Sequence, residues 1–216
     1  DGGTFDYGTN VDINATPDNG YHFDYWTGSG VADAASANTT VSMTTDRNVS
    51  AIFALNKYFL SVNAGAGGSA IGEGNYSHGT NAIITASSAI GHHFVNWSGG
   101  GVVDENSSAT SVAMDQNRSV TANFAIDEHT LTVSAGTGGS VSGEGNYTYG
   151  IIADINATAD TGYDFAGWAG VGVANPNNAN STVAMTQDRN VSATFALKTY
   201  NLTTNSGFGG NAAGAG

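Results

Sequence analysis

The residues with chemical reach are few: five histidines, with His92 and His93 adjacent, three tryptophans, three arginines, and 18 acidic side chains against five basic ones. A histidine pair suggests metal ligation or proton transfer, an exposed indole face suggests sugar stacking, and an acidic loop such as Asp104–Glu105–Asn106 suggests calcium. The spacing of these residues decides among such readings. Trp26, Trp97 and Trp168 stand 71 residues apart, and so do Gly8, Gly79 and Gly150, Phe23, Phe94 and Phe165, Met43, Met114 and Met185, Arg47, Arg118 and Arg189, and Phe53, Phe124 and Phe195. Residues 57–127 and 128–198 share 32 of 71 positions without a gap. The chain is a tandem repeat, and each copy is a control on the others.

That control bears first on the histidines. His78 aligns with Tyr7 and Tyr149, His92 with Tyr21 and Tyr163, and His129 with Tyr58 and Tyr200. These positions call for an aromatic ring rather than an imidazole nitrogen, which removes support for zinc binding or proton transfer. Each tryptophan follows a phenylalanine by three residues and precedes a Gly-x-Gly segment, as expected where one large ring fills a small core. A sugar platform is the competing reading. The arginines, one per repeat in a turn, read as fixed structural contacts rather than an anion site. The Asp104 loop lacks the ordered spacing of a known calcium loop, so no cofactor and no metal are expected, with calcium the weak alternative. Gly65-x-Gly67-Gly68 precedes no helix and reads as a hairpin turn, not a phosphate cradle. No nucleophile elbow and no carboxylate pair common to all copies is present, so the expectation is that the chain is not an enzyme.

Asparagine shows a different kind of signal. Of 23 asparagines, 12 lie in Asn-x-Ser/Thr: Asn14, Asn38, Asn48, Asn75, Asn96, Asn106, Asn117, Asn146, Asn156, Asn180, Asn190 and Asn201. A Ser plus Thr content of 44 in 216 predicts about five by chance. Either N-linked glycans decorate the chain, which would point to an archaeal or otherwise unusual source, or Asn, Ser and Thr crowd the turns and outward strand faces of a polar β protein.

The elements that carry these residues alternate with period two: Val11, Ile13, Ala15; Tyr58, Leu60, Val62; Val49, Ala51, Phe53; Ala153, Ile155, Ala157. This predicts half-buried strands near 58–63, 69–73, 81–87, 93–97, 109–114 and 119–125. Turns are expected at Gly65–Gly68, Gly136–Gly139, Asn19–Gly20 and Asp46–Asn48. No window has helical periodicity, so the fold class is all-β, a tandem array of small antiparallel modules. The period gives a truncated repeat at 1–56, complete repeats at 57–127 and 128–198, and the first hairpin of a fourth at 199–216. On this reading the chain is a window on a longer array. Its two ends are complementary, Gly214–Gly216 overlapping Asp1–Gly3 in the alignment, so that head-to-tail strand addition into a filament competes with simple continuation of the polypeptide.

Only Asn56 and Lys57 separate the strand ending at Leu55 from the one that includes Tyr58. So short a link leaves little hinge and predicts a semi-rigid rod with roughly 25–30 Å per repeat. A net charge of −13 disfavours nucleic acid and anionic lipid, there are no cysteines for disulfides or thiolate clusters, and no apolar run is long enough for a membrane-spanning helix. Scarce lysine with abundant Gly, Asn, Ser and Thr fits an exported surface protein.

The run Tyr58-x-Leu60-x-Val62, the glycine-rich turn, Gly79, Ile84-x-Ala86, Gly91-x-x-Phe94-x-x-Trp97-x-Gly99, Val112-x-Met114 and Val120-x-Ala122-x-Phe124 resembles the divergent internalin-type B-repeat, a bacterial surface repeat. The resemblance covers the whole chain. It implies a small β-rich module, related to the β-grasp group, that serves in long exported proteins as stalk or adhesive region. The expected role is therefore a structural repeat of a cell-surface stalk, adhesin or extracellular filament. Its partners would be neighbouring repeats, head-to-tail copies, surface glycans or other cells. The alternative is a carbohydrate-binding module of a secreted protein.

Overall fold

The computed structural model describes residues 2–214. Among them there are 18 strands and no helix. By compactness the chain divides into two units, residues 1–125 and 126–216.

The first unit contains residues 1–57 and most of the second repeat. Its early strands are β1 (Asn10–Asn14), β2 (Tyr21–Thr27), β3 (Asn38–Ser42) and β4 (Ser50–Leu55), which pair as β1 with β3 and β2 with β4. The second repeat supplies β5 (Lys57–Ala64), β6 (Gly68–Ile71), β7 (Gly74–Ser77), β8 (Thr80–Ser88), β9 (His92–Ser98), β10 (Ala109–Met114) and β11 (Arg118–Ile126). These form a four-stranded sheet in the order β7-β5-β11-β9 and a three-stranded sheet in the order β10-β8-β6. The second unit repeats the plan with β12 (Glu128–Ala135), β13 (Gly139–Ser142), β14 (Gly145–Thr148), β15 (Ile152–Ala159), β16 (Tyr163–Ala169), β17 (Asn180–Ala184) and β18 (Arg189–Leu197), in the orders β14-β12-β18-β16 and β13-β15-β17.

Six of the seven strands per repeat lie where the period-two pattern puts them. The seventh, β7, escapes the pattern because Gly74–Ser77 has no apolar alternation; it is held by pairing with β5, Tyr58 opposite Tyr76. Two details differ from the sequence reading. The ladder at the centre of each four-stranded sheet is parallel, Leu60 beside Arg118 and Ala64 beside Ala122, then Leu131 beside Arg189 and Ala135 beside Ala193. The turn at Gly65–Gly68 closes no hairpin either, because β6 pairs with β8 in the other sheet. The chain changes sheets at this turn and changes back between β6 and β7. Gly72, with φ of 118°, makes the second change possible: a Cβ there would lie 2.4 Å from the carbonyl oxygen of Ile83. Gly143 repeats the arrangement, 2.3 Å from that of Asp154. After such crossings β11 returns alongside β5 in the same direction.

Each complete repeat packs its two sheets around one core. In the second repeat the core is Leu60 from β5, Ala82, Ile84 and Ala86 from β8, Trp97 from β9, Val112 and Met114 from β10, and Val120 and Ala122 from β11. The third repeat uses the same positions, from Leu131 to Ala193. Full burial of a Leu, Ile, Val or Met side chain contributes roughly 1.5–3 kcal/mol; five such residues in the second repeat and six in the third, with one tryptophan and three alanines each, make the buried core of a module. In residues 1–57, Val11, Ile13, Met43 and Val49 are half-buried where Ala82, Ile84, Met114 and Val120 are fully buried. Residues 199–214 form no strand. The overlap expected between Gly214–Gly216 and Asp1–Gly3 involves residues 1, 215 and 216, outside the described residues.

Candidate functional site

The tryptophans occupy the cores. Trp97 is wholly buried and Trp26 and Trp168 nearly so, and each indole N–H donates to a backbone carbonyl, of Ser36, Ser107 and Asn178 in the first, second and third repeats, at 3.1 Å. The Phe-x-x-Trp spacing has a geometric cause. Residues three apart on a regular strand face opposite ways, but the register of β2 slips between Phe23 and Tyr25, and that of β16 between Phe165 and Gly167. This bulge lets both rings face inward. Phe94 then lies 5.9 Å from Trp97 and 6.0 Å edge-on to Phe124, an array repeated with Phe23 and Phe165. Among the described residues no indole face lies open to solvent. The exposed Tyr25 is replaced by Asn96 and Gly167 in the other repeats, so it provides no recurring platform.

The arginines are clamps within their own turns. Arg118 Nε donates to the carbonyl of Ala113 at 2.9 Å and its guanidinium meets Asp115 at 2.6 Å. Arg47 and Arg189 bind the carbonyls of Ser42 and Ala184 in the same way, with Thr44 and Thr186 in place of the carboxylate. The preceding turn residue anchors the parallel ladder: Asn117 Oδ1 accepts the Phe59 N–H at 2.8 Å, and Asp188 Oδ1 accepts that of Thr130 at 2.9 Å. Asp104 caps its own loop by accepting the Asn106 N–H at 3.0 Å. Among the described residues no three His, Asp or Glu side chains converge as a metal site.

His22, His78 and His129 lie beside the links between repeats, whereas the His92 ring covers Gly67 in the Gly65–Gly68 turn, where a Cβ would stand 2.3 Å from it. In the first unit the Asn56 N–H donates to the carbonyl of Gly20, and the Asn56 carbonyl accepts the His78 N–H, both at 2.8 Å. The His78 ring lies directly over Gly20, where a Cβ would stand 2.1 Å from it, and meets Tyr58 edge-on at 6.0 Å. Its Nδ1 is enclosed without a hydrogen-bond partner among the described residues. The ring, not the nitrogen, has the structural role. His22 Nδ1 is 2.9 Å from Asn56 Oδ1. In the second unit Lys198 N–H donates to the carbonyl of Gly162 and Tyr149 N–H to that of Asp127, again at 2.8 Å. Asp164 and Lys198, at the positions of His22 and Asn56, are 3.4 Å apart as an ion pair.

The Phe–Trp pair, the arginine clamp and the short link thus recur from repeat to repeat. The family model described as the divergent InlB B-repeat domain matches residues 1–57, 58–128 and 129–199. The chain belongs to the divergent InlB B-repeat family. Members are bacterial surface-associated repeats. No curated protein and no solved structure matches the chain. The family boundaries fall within a residue or so of the links, at Leu55–Lys57 and Ile126–Glu128, where one sandwich ends and the next begins.

Eleven of the 12 sequon asparagines of this B-repeat chain are exposed; Asn96 is half-buried and accepts from Asn123 at 2.8 Å. Asn14 and Asn38 oppose each other across β1 and β3 and are hydrogen-bonded, as are Asn156 and Asn180 across β15 and β17. Thr16 and Thr158, the third residues of their sequons, donate to Asn14 and Asn156 at 3.0 and 3.1 Å. Thr85 and Ala109 stand at these places in the second repeat, so the polar pair is not part of the module's folding requirement. No sequence signal short of the strand register reveals that these asparagines face each other.

Proposed function

We propose that this chain is a catalytically inert structural segment of an extracellular stalk, adhesin or filament, a spacer that holds a distal part of its protein away from the surface. The observation that carries the reading is the investment of the distinctive side chains in holding modules and links together. Indoles fill cores, guanidiniums clamp turns, and the His78 ring covers Gly20 beside the first link. The one-residue link at Asn56, bonded through its backbone to Gly20 on one side and His78 on the other, resists the swivelling that a Gly/Ser tether permits. Load-bearing extension is the use for which such links are suited.

Electron microscopy of native material tests the proposal. Filaments or stalks projecting from cells and labelled by antibody to this chain support it. Hydrolase or transferase activity of the purified chain on surface polymers contradicts it.

N-linked glycosylation of the exposed sequons belongs to the same reading, because glycans on outward faces shield sheet edges and hinder proteases. The intact mass of native protein decides this part. A series of heavier species supports it, and a mass equal to the bare polypeptide removes it.

A further inference from the structure

We infer that Asn19 is a self-modifying site, at which loss of the side-chain amide converts the turn before β2 into an isoaspartyl linkage and loosens the link between the first two repeats. Asn19–Gly20 is the one Asn-Gly step in the sequence. Glycine carries no side chain to hinder its amide nitrogen, so that nitrogen can attack the Asn19 side-chain carbonyl. A new N–Cγ bond forms, the Cγ–Nδ2 bond breaks, and ammonia leaves. Water then opens the succinimide at either carbonyl, giving aspartate or, with the main chain routed through the side-chain carbon, isoaspartate. Only water enters, and no oxidant or metal is required.

Asn19 is exposed, and among the described residues neither its side chain nor the Gly20 N–H has a hydrogen-bond partner. The turn itself is closed by the Tyr21 N–H donating to the Asp18 carbonyl at 3.0 Å. The same turn recurs at Ala89–His92 and Asp160–Tyr163, where His92 and Tyr163 donate at 3.1 and 3.0 Å, with Ile90 and Thr161 in place of Asn19. The fold therefore does not need an asparagine here, and one turn in three carries the reactive amide. The next residue is tightly constrained. Gly20 is buried under the His78 ring, and its carbonyl accepts the Asn56 N–H that ties the link to β2. An isoaspartyl residue adds a methylene to the main chain immediately before that contact, so Gly20 cannot keep both its ring contact and its hydrogen bond.

The full chain, folded, is aged at mildly alkaline pH and physiological temperature and then mapped by peptide mass spectrometry with an isoaspartate-specific methyltransferase assay. Amide loss at Asn19 should outpace that at every other asparagine. In the aged fraction, hydrogen exchange at the Asn56 and His78 amides should quicken by roughly fivefold, the factor for losing one ordinary hydrogen bond. Asn19→Thr, which copies the turn of the third repeat, should fold alike and keep both amides protected. Asn19→Ile, which copies the second repeat, is the second control. Amide loss at Asn19 no faster than at other sites overturns the inference, as does isoaspartate formation that leaves exchange at Asn56 and His78 unchanged.

Discussion

Tyr58 and His78 meet edge-on with ring centroids 6.0 Å apart, and one period later His129 and Tyr149 meet in the same way at 6.1 Å with the ring types exchanged. The interplanar angles are 64° and 61°. What is constant is an aromatic edge against an aromatic face; the imidazole occupies either side of it. Edge-to-face pairs contribute about 0.5–1.5 kcal/mol beyond their buried area. Exchanging the pair in the second repeat, Tyr58→His with His78→Tyr, should leave the denaturant midpoint close to that of the parent. His78→Ala should couple to Tyr58→Ala by about 0.5–1.5 kcal/mol in a double-mutant cycle. A coupling near zero would show that the rings do not act together.

The buried indoles predict a spectroscopic result. In the folded chain iodide should quench tryptophan fluorescence weakly, with quenching rising on denaturation, and oligosaccharides should leave the emission unchanged. Trp97→Ala should destabilise its module by about 3–5 kcal/mol, measured by urea unfolding, because it empties the centre of the core. A sugar-dependent shift in the emission of any indole would restore the carbohydrate-binding alternative.

The arginine clamp depends on the position of Nε, which lysine lacks. Arg118→Lys should therefore cost about 1–2 kcal/mol despite keeping the charge, since it leaves the Ala113 carbonyl without its donor. Urea unfolding checks this, and a lysine variant as stable as the parent would show that charge alone sufficed.

Asn117 separates a structural from a covalent role. Asn117→Asp removes the sequon but keeps an oxygen for the Phe59 N–H, as Asp188 does for Thr130. It should unfold at the parent's midpoint, whereas Asn117→Ala should lose about 1 kcal/mol. In native material Asn117→Asp should also remove one glycan's mass where this site is occupied. Equal losses in both variants would refute the anchoring role of the side-chain oxygen.

Much of the fold is legible in the sequence because repetition supplies comparison. The 71-residue period marks out the module, and alternation such as Ala153, Ile155, Ala157 marks strands whose inward residues are buried. Tyrosine at the positions equivalent to His78 and His129 identifies these as ring positions without knowledge of any contact. The path of the chain between sheets is not legible. Gly65–Gly68 has the composition of a hairpin turn, and nothing local distinguishes a turn between paired strands from one that crosses to another sheet. The parallel ladder of β5 and β11 depends on those crossings, so it is hidden for the same reason. β7 is hidden because Gly74–Ser77 offers one inward ring and no alternation. The bulge is written in Phe23-x-x-Trp26, a spacing that a regular strand cannot turn to one face, and two large rings that both need burial are the signal for it. Facing sequons such as Asn14 and Asn38 are 24 residues apart and meet only through strand register.

Links that do not swivel are central to the proposed role. Spin labels at one exposed site in each of the two complete repeats, measured by pulsed electron resonance in frozen solution, give the distribution of distances across the link at Asp127. A single narrow distribution is predicted, unchanged when the chain is lengthened by another copy. A broad distribution, like that obtained after inserting a Gly/Ser tether at the link, would contradict it.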